Sequence, residues 1–296
     1  MTQIRTILAA SDFSVGGTRA ASRAALLARE HAALLQVLHV VETRSLEPFR
    51  AIFSSSIYTE QHFLNDATCH LRVLGEQLRA ISNSAPECVT RMGEVLEEVL
   101  ASADHADLLV LGAHGARSRR NRMIGTTADR LLRRSRRPML VVKNEARSAY
   151  TRVMVPIDFT IHSIAALTFA TQLAPAADFV LFHAYPRASE LELMREDIPD
   201  EASKRFDEQQ HEQALANMEG FCQRTGAPLR RTTFLVVPGK PKNLVASKAA
   251  ALNADLVVLG KHGHSVLGDF FLGGVTRHAL AKAACDVAVV PAYFHL

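Results

Sequence analysis

Apolar positions along this chain fall into two alternating patterns. Short runs rich in β-branched residues are separated by longer stretches whose apolar residues lie three and four positions apart. The first pattern is typical of strands and the second of helices, and their alternation predicts βα units around a parallel sheet. In the first half of the chain we expect strands at 4–10, 34–41, 87–92, 107–112 and 138–143, and helices at 18–31, 59–81, 94–105 and 126–134.

The same pattern occurs twice within the 296 residues. Asp12-Phe-Ser is matched by Asp158-Phe-Thr, 146 residues later, and a second pair of similar segments, 106–115 and 254–263, has an offset of 148. Internal similarity over almost the whole chain indicates a duplicated domain. We therefore predict two tandem open α/β sandwiches, domain 1 at 1–147 and domain 2 at 148–296, each with a five-stranded parallel sheet.

Composition adds limits on the class of protein. The chain is 48% hydrophobic and 22% charged, which is ordinary for a globular protein. Its apolar runs are much shorter than the roughly 20 residues of a membrane span, and its amino terminus lacks the pattern of a secretory signal peptide. The four cysteines show no spacing of a zinc site or a disulfide framework. We expect reduced thiols and a cytoplasmic location.

Positive charge is concentrated in one segment. The net charge is +4, and nine arginines lie between Arg117 and Arg137 with one acid among them, Asp129. Such a run would attract a polyanion. A solvated helix face with a loop is the more frequent origin of such a run, so we do not expect a nucleic-acid partner.

Three glycines at a fixed spacing form the sharpest motif. It reads Gly112-x2-Gly115-x9-Gly125-Thr-Thr in the first copy, and the same spacing recurs in the second copy, starting at Gly260 and ending at Gly273. A strand end, a glycine loop and a helix start together form a cradle for an anion such as phosphate. The alternative is that these glycines only turn the chain and cap helices.

An aspartate follows the first strand in each copy. Asp12 and Asp158 could each accept two hydrogen bonds from the hydroxyl pair of a ribose, or could instead cap their own turns. Contact with the glycine loop requires strands one and four to be neighbours, as in the order 3-2-1-4-5, which has its switch point between them. Ser14 and Thr160 are placed to cap the first helix of each copy.

These residues resemble the universal stress protein family, and specifically its ATP-binding branch. The resemblance rests on Asp12-Phe-Ser, Leu38-His-Val and the glycine motif, and it covers both copies. It implies an adenine nucleotide alpha hydrolase-like fold that binds ATP, with or without Mg²⁺, in a regulatory or stress-survival role. The alternative function is a scaffold or interaction module that does not bind nucleotide.

The resemblance also implies two sets of nucleotide-binding residues. In each set the aspartate would hold ribose, the backbone after the second strand would frame adenine, and the glycine loop would hold phosphates. The first set is Asp12, Val40, Leu111, Gly112, His114, Gly115, Gly125, Thr126 and Thr127. The second set is Asp158, Ala184, Leu259, Gly260, His262, Gly263, Gly273, Val275 and Thr276.

Several positions depart from the family pattern. Copy one has Ala10 where copy two keeps Pro156, a change that only relaxes the turn. Copy two has Gly274 where the family places Ser or Thr, which removes a hydroxyl that would contact phosphate. Thr276, one turn further on, could replace that hydroxyl. The loop of copy one carries four arginines that the corresponding loop of copy two lacks: Arg117, Arg119, Arg120 and Arg122.

This arginine difference predicts that the two sites are unequal. The first would be better suited to a polyphosphate, unless these arginines simply face water. His114 and His262 lie within the glycine loops and could touch phosphate or remain exposed. His39 and His183 end the second strands, where we expect each to bond local backbone.

The motifs of several enzyme classes are missing from the sequence. We find no Walker A loop, no G-x-S-x-G elbow and no spacing of a metal-ligand set, so we expect a binding protein without metal or catalytic residues. Slow ATP hydrolysis stays open as a third alternative. By resemblance, the fifth strands at 139–142 and 287–290 would pack the two copies together as an internal pseudo-dimer, and two chains would associate as a homodimer.

Overall fold

The chain divides into two units, with the change of unit between Ala149 and Tyr150. The computed structural model describes residues 3–43, 56–115, 124–187, 200–226, 229–262 and 272–292. Each unit alternates strands and helices, as the apolar pattern predicts. In unit 1 the elements are β1 (Thr6–Ala10), α1 (Val15–His31), β2 (Leu34–Glu42), α2 (Ser56–Ser82), β3 (Glu87–Gly93), α3 (Val95–Ala103), β4 (Leu108–Gly112), α4 (Thr126–Arg134) and β5 (Met139–Val142).

Unit 2 repeats this order of elements. They are β6 (Arg152–Pro156), α5 (Ile161–Leu173), β7 (Asp178–Tyr185), α6 (Asp200–Thr225), a short 3₁₀ turn (Leu229–Arg231), β8 (Thr232–Pro238), α7 (Pro241–Ala251), β9 (Leu256–Gly260), α8 (Gly274–Lys282) and β10 (Asp286–Val290). None of the helices within the described ranges is long and apolar enough to cross a membrane.

Parallel pairing of the strands gives the expected order in each unit. In unit 1, β1 lies between β2 and β4, with β3 beyond β2 and β5 beyond β4. In unit 2, β6 lies between β7 and β9, with β8 and β10 in the outer positions of that unit's order. The predicted fold class and the order 3-2-1-4-5 are therefore confirmed. The carboxyl ends of the first and fourth strands meet at the switch point, where open α/β sheets bind ligands.

Burial explains why the central strands read as continuous apolar runs. In β4, Leu108, Leu109 and Val110 are fully buried, and β9 shows the same for Leu256, Val257 and Val258. A strand buried on both faces needs no polar alternation.

The first helices begin at caps that differ between the units. Ser14 precedes α1 in extended conformation, and its hydroxyl accepts a hydrogen bond from the Gly17 N–H, as predicted. Thr160 occupies the same position before α5 but makes no side-chain cap bond. Its hydroxyl donates to Asp158 Oδ1, as that of Ser14 does to Asp12 Oδ1. Thr160 is therefore the N-cap residue of α5, as predicted, but its side chain does not accept a hydrogen bond from the helix.

A buried hydrogen bond connects the start of unit 2 to its last strand. The Tyr150 hydroxyl donates to Asp286 Oδ2 at 2.7 Å, and both residues are almost completely buried. Asp286 is the first residue of β10, so this hydrogen bond holds the segment before β6 against the last strand of the unit.

We expect Tyr150→Phe to lower the free energy of unfolding of unit 2 by about 1–3 kcal/mol, because it removes a buried hydrogen bond and leaves the carboxyl group of Asp286 without this donor. Urea unfolding followed by circular dichroism would measure the change. Tyr185→Phe, in the same unit, is the matched control and should leave the unfolding curve unchanged, because no described residue forms a hydrogen bond with its hydroxyl. An equal free energy for Tyr150→Phe and the native protein would contradict this structural role.

Candidate functional site

The turn after β1 holds the aspartate of unit 1 at the sheet edge. Phe13 in this turn has φ of 59°, a left-handed conformation that is uncommon outside glycine, and it is held by local hydrogen bonds. The Phe13 N–H donates to Ser11 Oγ, and the Ser14 N–H and hydroxyl both donate to Asp12 Oδ1. The carboxylate therefore has one oxygen fixed by its own turn, which is the alternative that the sequence left open.

The other carboxylate oxygen of Asp12 faces the glycine loop. A Cβ atom placed on Gly115 would lie 2.6 Å from Asp12 Oδ2, so only glycine lets the loop come this close. Asp12 itself is exposed to solvent. The structure thus brings Asp12 and Gly115 together, as the predicted neighbourhood of β1 and β4 requires.

The start of α1 forms the floor beneath this loop. A Cβ atom on Gly112 would lie 2.5 Å from the carbonyl carbon of Gly16, and one on Gly16 would overlap the carbonyl oxygen of His114. Backbone therefore packs on backbone between β4 and α1. Gly16 and Gly17 were missed by the sequence reasoning, although a pair of glycines directly after a helix cap was the signal that could have revealed them.

The third glycine of the motif closes the loop against α4. The Gly125 N–H donates to the Ala113 carbonyl at 2.8 Å, and Gly125 is the N-cap of α4. Thr126 and Thr127 follow it and are exposed. The first amides of a helix have no partner within the helix and carry the positive end of the helix dipole, and in α4 they follow Gly125, which lies beside His114 and Gly115. The motif therefore has the geometry of an anion cradle.

Other predicted residues of the first set line the same edge. Leu111 is the buried residue before Gly112 at the end of β4, and Val40 is half-buried near the end of β2. His114 lies half-buried between Ala113 and Gly115, and no described residue bonds its buried Nε2. The arginines at 117, 119, 120 and 122 lie outside the described residues.

The site of unit 2 is built from the same elements with different side chains. Asp158 Oδ1 accepts hydrogen bonds from the Thr160 N–H and hydroxyl, as Asp12 does from Ser14. Gly273 caps α8, and its N–H donates to the Lys261 carbonyl at 3.0 Å. Ala184 and Leu259 are buried at the ends of their strands. Of the remaining members of the predicted second set, Gly263 lies outside the described residues, and Val275 is half-buried in the first turn of α8.

Two substitutions change the character of this second site. His162 stands where unit 1 has Gly16, and a Cβ atom on Gly260 would lie 2.7 Å from the Cβ atom of His162. Thr276 was expected to replace the hydroxyl lost at Gly274. The structure instead buries Thr276, whose hydroxyl donates to the Gly260 carbonyl at 2.9 Å.

Histidines at the ends of the second strands bond backbone, as predicted. The Nδ1 atom of His39 lies 2.8 Å from the Ser11 carbonyl, and that of His183 lies 2.8 Å from the Ile157 carbonyl. These carbonyls accept only if Nδ1 carries the proton, which fixes the tautomer of each neutral ring. Each ring also contacts the phenylalanine of the preceding turn, Phe13 or Phe159.

Burial sets the protonation of these two histidines. It lowers the pKa of His39 and of His183 below the ordinary value of 6.5, although the backbone hydrogen bond and the charge of the nearby aspartate oppose the shift. Both rings are therefore held neutral in the folded protein at pH 7.

We expect the protein to lose stability as the pH falls below about 6.5, the ordinary histidine pKa. The unfolded chain then binds protons that the folded chain resists, so unfolding becomes more favourable as the pH approaches the lowered pKa values. Urea unfolding at pH 7.5, 6.5 and 5.5 would measure this loss of stability. The pair His39→Gln and His183→Gln should flatten this dependence, whereas the exposed His105→Gln should not. Equal slopes in the native protein and the double variant would contradict the assignment.

Comparisons with known proteins agree with the two-unit architecture. The model of the universal stress protein family matches residues 3–143 and again residues 149–291. A curated universal stress protein from Thermus aquaticus, encoded 3′ of a sulfhydrylase, is 29% identical over 130 residues, which are 43% of this chain and 86% of that protein.

Solved structures show the same fold. A universal stress protein from Archaeoglobus fulgidus covers 98% of this chain and 97% of its own, at 16% identity and a TM-score of 0.67. A protein of unknown function from Pseudomonas aeruginosa covers 97% and 92%, at 17% identity and a TM-score of 0.64. Since the family model matches both halves of the sequence, this chain belongs to the universal stress protein family and carries two copies of its domain.

Proposed function

We propose that unit 1 binds an adenine nucleotide, ATP with or without Mg²⁺, and that this binding serves a regulatory or stress-survival role. The observation that carries the proposal is the placement of Asp12 Oδ2 against Gly115 at the switch point of the sheet. A carboxylate oxygen there can accept hydrogen bonds from ribose hydroxyls while the adjacent loop receives phosphate.

Three surfaces of unit 1 correspond to the three parts of a nucleotide. Val40, half-buried at the end of β2, offers backbone and an apolar side chain to a base. Asp12, exposed in the turn after β1, offers its carboxylate to the sugar. Thr126 and Thr127 offer exposed hydroxyls and first-turn amides of α4 to phosphate, where the helix dipole favours negative charge.

We propose that the nucleotide is a regulatory ligand in this protein and is not turned over quickly. Asp12 Oδ1 accepts two hydrogen bonds from Ser14, which hold the carboxylate as an acceptor within its turn. His39 has its Nδ1 committed to the Ser11 carbonyl. These geometries suit fixed binding contacts, and a regulatory effect would follow if the nucleotide binds one conformer or one assembly more tightly than another.

Unit 2 would bind nucleotide more weakly than unit 1. Thr276 uses its hydroxyl on the Gly260 carbonyl, and Gly274 has no hydroxyl to give to phosphate. His162 also adds a ring at the corner where unit 1 has Gly16. We expect one strong nucleotide site per chain.

The decisive experiment is calorimetric titration of the purified protein with ATP and Mg²⁺, after denaturing extraction to quantify any co-purified nucleotide. Asp12→Asn should weaken ATP binding about 10- to 100-fold, the loss expected for one hydrogen bond to a charged acceptor. Asp158→Asn is the matched control in unit 2 and should change the main affinity less than twofold. Circular dichroism would establish that both variants fold.

A second pair of variants tests the glycine loop. Gly112→Ala should reduce ATP binding strongly, because its Cβ atom would force β4 away from Gly16. Gly220→Ala, in α6, meets only the end of the Arg224 side chain and should have no effect. Absence of ATP binding and of extracted nucleotide in the native protein would contradict the proposal and favour the scaffold alternative.

We further propose that the protein works in the cytoplasm, that its two units form an internal pseudo-dimer and that chains associate as homodimers. This assembly proposal comes from the apolar fifth strands of the sequence. Light scattering should give a mass of two chains, and a mass of one chain would contradict chain association.

A further inference from the structure

Unit 2 has a pair of imidazoles at the corner where unit 1 has none. His162 lies in the first turn of α5, and His262 lies in the loop that follows β9. They are 100 positions apart in the sequence, and only the contact of β9 with α5 brings them together. In unit 1 the corresponding residues are Gly16 and His114, so no such pair exists there.

The spacing of the two rings is close to that of two ligands on one ion. The ring centroids of His162 and His262 lie 5.4 Å apart, with an angle of 71° between the ring planes. With zinc–nitrogen bonds of about 2.0–2.1 Å and tetrahedral angles, two imidazoles on one ion have ring centroids about 5 Å apart. The ring spacing is therefore compatible with both histidines binding the same ion.

An unsatisfied nitrogen supports this interpretation. The Nδ1 atom of His162 is buried, and no described residue forms a hydrogen bond with it. Buried polar side-chain atoms almost always have a partner, so an orphan of this kind calls for a missing water, ion or ligand. The carboxylate of Asp158 is close enough to act electrostatically on His162, and its negative charge favours a cation at this corner.

We propose that unit 2 binds one divalent transition-metal ion of the zinc class through His162 and His262. Imidazole suits zinc, nickel and copper ions. Among the described residues no group of three or more His, Cys, Asp or Glu side chains could hold a metal, so two protein ligands leave coordination positions open to water or to an anion. This proposal does not require nucleotide binding, because the ligand atoms all belong to the protein.

Zinc titration of the full-length protein, without nucleotide, tests the proposal. Isothermal calorimetry should show one Zn²⁺ bound per chain, and His162→Ala and His262→Ala should each weaken that binding at least tenfold. Co²⁺ in place of Zn²⁺ should give the visible absorption of a cobalt–imidazole complex in the native protein and lose it in both variants. The exposed His105→Ala is the control for binding to surface histidines and should retain full affinity.

Either of two results would overturn the proposal. One is Zn²⁺ affinity in both variants within twofold of the native value, which would make the histidine pair a packing contact only. The other is an equal loss in His105→Ala, which would place the bound ion on surface histidines. His162→Gln, which keeps a polar side chain of similar size, should lose Zn²⁺ binding as His162→Ala does, so a folding defect in one variant would not decide the result. Asp12→Asn should leave Zn²⁺ binding unchanged, which separates this site from the proposed nucleotide site of unit 1.

Discussion

The site of unit 1 depends on a close backbone contact between the end of β4 and the first turn of α1. Gly112 and Gly16 leave no room for a Cβ atom on either side of this contact. Because β4 comes so near to α1, the loop that follows it lies beside the turn after β1, and Gly115 reaches Asp12. The position of the carboxylate relative to the loop is therefore a consequence of backbone packing. A side chain at either glycine would separate the ribose-binding and phosphate-binding parts of the proposed site.

Unit 2 keeps the topology of this contact and changes its chemistry. Gly260 still approaches the first turn of α5, but it now meets the Cβ atom of His162 where unit 1 has bare backbone. The ring of His162 contacts the ring of His262, and the hydroxyl of Thr276 donates a hydrogen bond to the Gly260 carbonyl. One copy thus presents amides and hydroxyls at this corner, which suit an anion, and the other presents imidazoles, which suit a cation. The two units share one strand order, and their different chemistry at this corner comes from the residues at the strand ends.

Much of the fold could be predicted from the sequence, because its signals are local and periodic. The apolar runs of β4 and β9 can be recognised in the sequence as strands buried on both faces, and the duplication predicts two units. The glycine spacing and the two aspartates led to the correct strand order, since they can meet only if the first and fourth strands are neighbours. The roles of Gly16 and His162 could not be predicted in the same way. Each depends on a contact with a residue about 100 positions away, and a glycine in a first helical turn reads locally as a weak helix former. Thr160 illustrates the same limit, since its hydroxyl and that of Ser14 both donate to the aspartate of their own turn, and only Ser14 also accepts a bond from a helix amide.

The histidines that end the second strands show how the same turn is stabilised in both copies despite these differences. His39 and His183 each bond the carbonyl at the end of the first strand, and each ring packs against a phenylalanine in left-handed conformation. Such a backbone conformation is costly for a bulky residue and persists only where surrounding contacts hold it. The bond from the second strand and the ring contact supply that support, and the aspartate before the phenylalanine is thereby held at the sheet edge. Both copies keep this arrangement and hold the aspartate in the same turn, although Asp12 is exposed and Asp158 is half-buried. The copies differ more in the loop that follows the fourth strand and in the first turn of the helix beneath it, so it is there that a difference in binding would arise.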